Sequence, residues 1–329
     1  MARTAGVSRA AVSKVIRDAY GVSPEMRSRV EAAIERLGYR PSVAARAIRG
    51  PSFTIGFELH EIENPALNRI LSGAVAEIAP TDYQLIVAPA VAGGEGHRAI
   101  DALVDLRADG LVVVAPHAAS DWLEKLASRM PVVLLSRHDR SENYDIVTGD
   151  DVAGARLAMH HLISLGHHRI AHLTRGEETT TREGTPPAVR LEVYLDEMTQ
   201  RGLARHIKVA RAATPGDARR ATSDLLASAN PPSAIFAMND DLAMEALHVA
   251  QERGLSASDL SIVGYDNVRL AGHRAISLTT IDQSGDDLGR WAVRLLLERI
   301  DGRTQVKRET TQPSLIVRNS TDHPRSEQH

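Results

Sequence analysis

The polar side chains suited to holding a ligand fall just after short apolar runs. Arg137 follows Val132–Leu135, Asp150 follows Ile146-Val147, Asn239-Asp240 follow Ile235–Ala237, and Asp266-Asn267 follow Ile262–Gly264. Arg190 opens a helical stretch of its own. Carboxylates accept from neighbouring hydroxyls, amides both accept and donate, and a guanidinium donates as a planar fork, so the set suits a small hydroxyl-rich ligand. Each residue taken singly fits a turn or a helix cap; their shared placement is what points to a site. With three Phe, two Trp and six Tyr in 329 residues, a ligand held by ring stacking, such as a purine, is disfavoured. A second chemistry sits at the other end of the charge scale. Residues 1–50 hold ten Lys/Arg against four acids, a balance of +6 within a net charge of −3, so the remainder carries −9. A basic head on an acidic body directs only the head toward a polyanion.

Other chemistries are weaker. His160-His161 and His167-His168 invite a metal, but the first pair lies in a glycine-ended helix and the second begins a strand, so the rings are expected to diverge. Asp150-Asp151, Asp240-Asp241 and Asp286-Asp287 are chain neighbours, which point apart more often than they cooperate. The absence of cysteine removes disulfides, thiol catalysis and Cys-ligated zinc. No Ser–His–Asp set stands out, and nothing requires catalysis, a cofactor or a metal. No apolar run approaches the ~18 residues of a membrane helix, and no charged-then-apolar secretion signal opens the chain. A cytoplasmic protein that is not an enzyme is expected.

The elements that position these residues are legible. In the head, Ala5-Gly6-Val7-Ser8 reads as a tight turn, and Ser8 caps a short helix over Arg9–Ile16 whose apolar face is Val12, Val15 and Ile16. Ser23-Pro24-Glu25 opens a second helix, with Val30, Ile34 and Leu37 on its buried side and Gly38 as its stop. This is a helix-turn-helix pattern, with Arg9, Ala10 and Lys14 facing outward to enter a major groove. From Thr54 onward, strands are predicted over Thr54–Leu59, Gln84–Ala88, Gly110–Ala115, Val132–Leu135, Arg169–Leu173, Ala234–Ala237 and Ser261–Gly264. Amphipathic helices over Ala66–Ile78, Ala153–Leu165, Asp217–Ala229 and Leu242–Arg253 alternate with them. That rhythm predicts α/β architecture with parallel sheets, in two subdomains with a cleft at the strands' carboxyl ends.

The head resembles the LacI/GalR family of regulators, on Ala5-Gly-Val-Ser-Arg-Ala-Ala-Val-Ser-Lys-Val15, Val22-Ser-Pro-Glu25 and Leu37-Gly-Tyr-Arg-Pro-Ser-Val-Ala-Ala-Arg-Ala-Ile48. The resemblance implies that Arg9, Ala10 and Lys14 read bases while Ser8 and Ser13 hold phosphates. It also implies that Ser42–Arg49 is a hinge helix for the minor groove, contacting DNA through Ser42, Ala45, Arg46 and Ile48. Ile48 stands where a leucine usually wedges between base steps. Relatives carry more residues ahead of this segment, so restoring such residues is expected to raise operator affinity at least tenfold in a gel shift.

In the body, Gly149-Asp-Asp151, His161-Leu-Ile-x-Leu-Gly-His167, Arg190-Leu191, Ile262-Val-Gly-Tyr-Asp266 and Leu278-Thr-Thr-Ile-Asp-Gln283 resemble the family's effector-binding core, itself similar to periplasmic sugar-binding proteins. By that resemblance Arg190, Asn239 and Asp266 touch effector, and Arg137, Asp150 and Gln283 are further candidates. Ala66 departs from the pattern where an aromatic is common, as does Val193 where glycine is usual. Glu58 and His60 interrupt an otherwise apolar strand, and Glu177–Pro187 lacks the usual motif, which implies an unusual effector or a lost pocket. The expected organisation is a helix-turn-helix domain over 1–41, hinge and linker over 42–53, a two-lobed periplasmic-binding-protein-like core over 54–321 and a polar tail over 322–329. Expected partners are an operator DNA duplex, a carbohydrate-like effector and a second copy of the chain. The effector then acts either as inducer or as corepressor. The rival readings are a sugar-binding protein with a degenerate head and an enzyme on the same sheets.

Overall fold

A computed structural model describes residues 1–16, 19–38, 51–60, 62, 64–90 and 96–325, in two bodies, Met1–Ser52 and Phe53–His329. In the first body Gly6 takes a φ of 64°, a left-handed turn open to glycine without strain, between the helices Ala2–Ala5 and Arg9–Ile16. The Ser8 hydroxyl accepts from the Ala11 amide at 3.1 Å, and Ser23 accepts from Met26 at 3.3 Å, so each serine caps the helix that follows it. The third helix, Pro24–Leu37, ends on Gly38. Ala5, Val12, Val15, Val30 and Ala33 close a small core. Leu37 was expected inside and is instead 48% exposed: the helix's last turn runs past the few apolar residues able to cover it.

The strands of the second body are β1 (Thr54–Leu59), β2 (Gln84–Pro89), β3 (Gly110–Val114), β4 (Val132–Leu135), β5 (Asp145–Gly149), β6 (Ile170–Thr174), β7 (Lys208–Arg211), β8 (Ala234–Ala237), β9 (Ser261–Tyr265), β10 (Thr279–Asp282), β11 (Arg308–Thr311) and β12 (Ser314–Ile316). They form two six-stranded sheets, ordered β11-β5-β4-β3-β1-β2 and β12-β10-β9-β8-β6-β7. All pairings are parallel except β10 with β12. Each sheet has apolar clusters on both faces, which is why strands such as Gly110–Val114 are buried along their whole length.

The chain passes between the lobes three times: from β5 into the helix Asp151–Ser164, from β10 into the helix Gly285–Ile300, and from β11 to β12. Gly285–Ile300 returns to the first lobe and packs on the helix Ala66–Ile78. The two backbones meet at glycines: a Cβ on Gly73 would stand 1.9 Å from the Asp286 carbonyl, and one on Gly289 1.8 Å from that of Ile70. Arg69 then ties the crossing together, reaching Asp282 at 2.8 Å and Asp286 at 2.9 Å.

Three helices begin two residues before their expected starts, and the cause is the same in each. Asp150, Thr214 and Asn239 are caps whose side chains accept from the amides of Ala153, Asp217 and Leu242. The expected starts were those third residues, whose amides are bonded by the cap rather than by the chain within the helix. Among the described residues, no helix is long and apolar enough to cross a membrane.

Candidate functional site

The ends of seven strands converge on one cavity between the lobes. His60 follows β1, Ala115 and His117 follow β3, and Ser136 follows β4. From the second lobe come Arg175 after β6, Met238 after β8, Asp266 after β9 and Gln283 after β10, with Asn64, Thr179, Thr185 and Arg190 completing the polar wall. The volume is about 170 Å³. Three wall residues other than glycine adopt positive φ: Ala115 at 42°, Ser136 at 58° and Asp266 at 105°. Such backbone costs of order 1–3 kcal/mol per residue and collects where a site demands it. A larger groove of about 710 Å³, lined in part by His168, Arg169 and Arg205, opens at the opposite, amino ends of the second sheet's strands. It lacks this convergence of strand carboxyl ends, where ligands of such sheets bind.

Arg190 organises the second-lobe wall. Its Nε and Nη2 both lie 2.8 Å from Asp151 Oδ1, its Nη1 donates to the Met238 carbonyl at 2.5 Å, and its plane covers the Tyr265 ring at 3.4 Å from the centroid. Nη1 also stands 4.0 Å from Asp266. Three of its five N–H groups are thereby engaged. Burial would raise the Asp151 carboxyl, but the Arg190 guanidinium and the His138 imidazole beside it hold it below the usual range. Asp266 goes the other way: burial raises it well above the usual carboxylate range against the pull of Arg190. Gln283 Nε2 donates to Asp266 Oδ1 at 2.6 Å.

Of the six effector candidates, Arg190, Asp266 and Gln283 stand together in the cavity wall. The other three are engaged elsewhere. Arg137 donates to the carbonyls of Pro116 and Ala118 at 2.8 and 2.7 Å and pairs with Asp139 at 2.6 Å, bracing the turn after β3. Asp150 and Asn239 serve as the helix caps described above. Missed in the sequence were Asn64, His117, Ser136, Arg175, Thr179, Thr185 and Asp151. His60 did carry a signal, as a polar residue ending an apolar strand. Thr179 and Thr185 lie in the segment whose motif departs from the pattern. The paired histidines diverge: His160 Nε2 meets Glu197, His161 Nε2 meets Thr321, and His167 bridges Ser233 and the Asp322 carbonyl.

In the head, Ser8, Arg9, Ala10 and Lys14 are exposed on or beside the helix Arg9–Ile16, and Ser13 is half-buried. Ser42, Ala45, Arg46 and Ile48, the hinge candidates, lie outside the described residues.

The profile of bacterial regulatory proteins, lacI family, matches residues 1–42, and that of the periplasmic binding protein-like domain matches residues 159–321. The HTH-type transcriptional repressor PurR of Photobacterium profundum is 30% identical over 332 residues, 97% of each chain. The chain belongs to the LacI family. The ribose operon repressor of Escherichia coli K12 is also 30% identical, over 97% of this chain and 98% of its own. A structure of the lac repressor dimer bound to operator and the anti-inducer ONPF is similar with a TM-score of 0.82 and 25% identity, covering 98% of this chain and 97% of that one. A LacI-family regulator from Enterococcus faecium with bound ribose is similar with a TM-score of 0.73 and 25% identity, over 82% of this chain and 99% of that one. This LacI-family protein is therefore a DNA-binding transcriptional regulator with a small-molecule effector.

Proposed function

We propose that this regulator is a cytoplasmic, homodimeric repressor without enzymatic activity, whose hold on its operator changes when a small carbohydrate-like effector enters the cavity between the lobes. Arg9, Ala10 and Lys14 read bases, Ser8 and Ser13 hold phosphates, and Ser42, Ala45, Arg46 and Ile48 serve the hinge. The observation that carries the effector reading is the placement of Arg190. It lies at the cavity wall while gripping Asp151, the first residue of the helix by which the chain enters the second lobe. Asp151 in turn meets His138, in the loop after β4 of the first lobe, at 2.9 Å. A ligand on Arg190, Asp266 and Gln283 thus acts on a chain of contacts that spans both lobes, and differential contact with two lobe arrangements is what a population shift requires. The relatives' repressor names support the first half of the reading; the operator-bound dimer and the ribose-bound neighbour support DNA, pairing and a sugar-like effector.

The test is a gel shift on operator-bearing DNA across a salt series, repeated with neutral sugars and their acids. Affinity that falls steeply with salt and responds to one of these compounds is expected. Gln283→Ala should weaken the response at least tenfold while leaving ligand-free operator affinity in place. A response unaltered in both Gln283→Ala and Arg190→Ala would refute the cavity.

A further inference from the structure

The connection from β6 to the helix Pro186–Gln200 belongs to the second lobe, yet it is anchored on the first. Arg182 donates from Nη1 to the His117 carbonyl at 2.9 Å, in the turn after β3. Two residues on, the Gly184 carbonyl accepts from the His138 amide at 2.8 Å, in the loop after β4. These two first-lobe loops are themselves tied together, because Arg137 donates to the carbonyls of Pro116 and Ala118 on either side of His117. The connection therefore grips a braced platform.

Its own shape is set locally. The Thr185 amide donates to the Arg182 carbonyl at 3.3 Å, closing a β-turn with Gly184 in third place at a φ of 76°. That is the conformation a type II turn reserves for glycine. A Cβ on Gly184 would stand 2.1 Å from the His138 carbonyl oxygen, so glycine is required both by the turn and by the close approach of two backbones. The Thr185 hydroxyl lies 2.9 Å from the carbonyls of Thr179 and Arg182, and the Thr179 hydroxyl donates to the Gly176 carbonyl at 2.9 Å. A segment so bonded to itself moves as one piece. Thr179 and Thr185 also line the cavity, so lifting that piece removes part of its wall.

We propose that residues 176–185 form a latch across the cleft, which holds the lobes together in the ligand-free chain and lifts to admit an effector. Lifting breaks the Arg182 and His138 bonds, parts the two backbones at Gly184 and frees the lobes to separate. The latch then sets how fast an effector enters and leaves, as closing segments do in other clefts. That consequence rests on the reading of the cavity as the effector site; the latch itself does not.

The experiment is hydrogen–deuterium exchange resolved to single amides, on the full chain without effector or DNA. The His138 amide reports the latch, because its acceptor belongs to the other lobe. It should be protected in the parent. It should exchange about fivefold faster in Arg182→Ala, the effect of one lost hydrogen bond, and about tenfold faster or more in Gly184→Ala, where turn and contact both fail. Arg182→Lys keeps a donor and should stay within about twofold of the parent. The β4 amides of Val133–Leu135 should not change, which separates local opening from unfolding. Arg182 is exposed, so its variants fold even if Gly184→Ala does not. An unprotected His138 amide in the parent would overturn the latch. So would a rate unmoved in Arg182→Ala, or a rise shared equally by Val133–Leu135. Any of these leaves the effector reading untouched, just as a gel shift indifferent to sugars leaves the latch standing.

Discussion

Arg190 and Asp151 form a buried pair in which two guanidinium nitrogens share one carboxylate oxygen at 2.8 Å, with side chains only 3% and 4% exposed. Asp151's other oxygen meets His138. The neighbouring carboxylate, Asp150, is a helix cap instead. Two adjacent aspartates therefore do different work.

Their substitutions should separate accordingly. Asp151→Ala leaves Arg190 buried without its counter-ion and is expected to cost about 3–5 kcal/mol. Asp150→Ala removes only a cap, at about 0.5–2 kcal/mol. Denaturant unfolding of both variants checks the order; equal losses would contradict the assignment.

At the lobe crossing, Gly289→Ala sets a methyl against the Ile70 carbonyl, a backbone atom that cannot swing away. Helix Gly285–Ile300 must shift off Ala66–Ile78, so a loss of at least the ~1–3 kcal/mol of ordinary overpacking is expected, read as a lower midpoint in urea. A midpoint equal to that of the parent would show that the helices approach less closely.

Stability should decline in mild acid, partly through His172. Its ring is buried beside Tyr194 and Phe236, Nδ1 donates to the Phe236 carbonyl, and Nε2 has no partner, the arrangement of a neutral imidazole. Burial lowers it to about 3. A histidine depressed in the folded state contributes stability above its unfolded pKa of ~6.5, lost as pH falls from there toward the folded value at ~1.4 kcal/mol per pH unit. His172→Gln should flatten the slope of unfolding free energy between pH 6 and pH 4.5 by about that amount. An unchanged slope would place the ring in a wetter setting.

For the DNA reading, Arg9→Ala and Lys14→Ala should each weaken operator binding, by ~1–3 kcal/mol where a base contact is lost, and should relax sequence preference at that base. If either side chain touches phosphate instead, the loss is uniform across sequences and the salt slope falls by about one. Competition gel shifts with single-base operator variants distinguish the two.

Seven of the twelve strands, the capped head helices and the likeness of both bodies to one family were legible in the sequence itself, whereas β5, β7, β10, β11 and β12 had no predicted strand. Periodicity, caps and turn residues act over a few neighbouring positions, and β1, β4 and β8 match their expected bounds to the residue. The membership of the cavity wall was decided by tertiary structure. Arg137 turned to the carbonyls of Pro116 and Ala118, beyond the neighbouring strand β3, while Asp151 reached 39 positions along the chain to Arg190. His60 and His117 met only because parallel pairing sets β1 beside β3. A side chain's partner across the fold depends on which strands become neighbours and which way each strand-end turn throws the backbone. Long-range packing fixes both, and no local pattern records them.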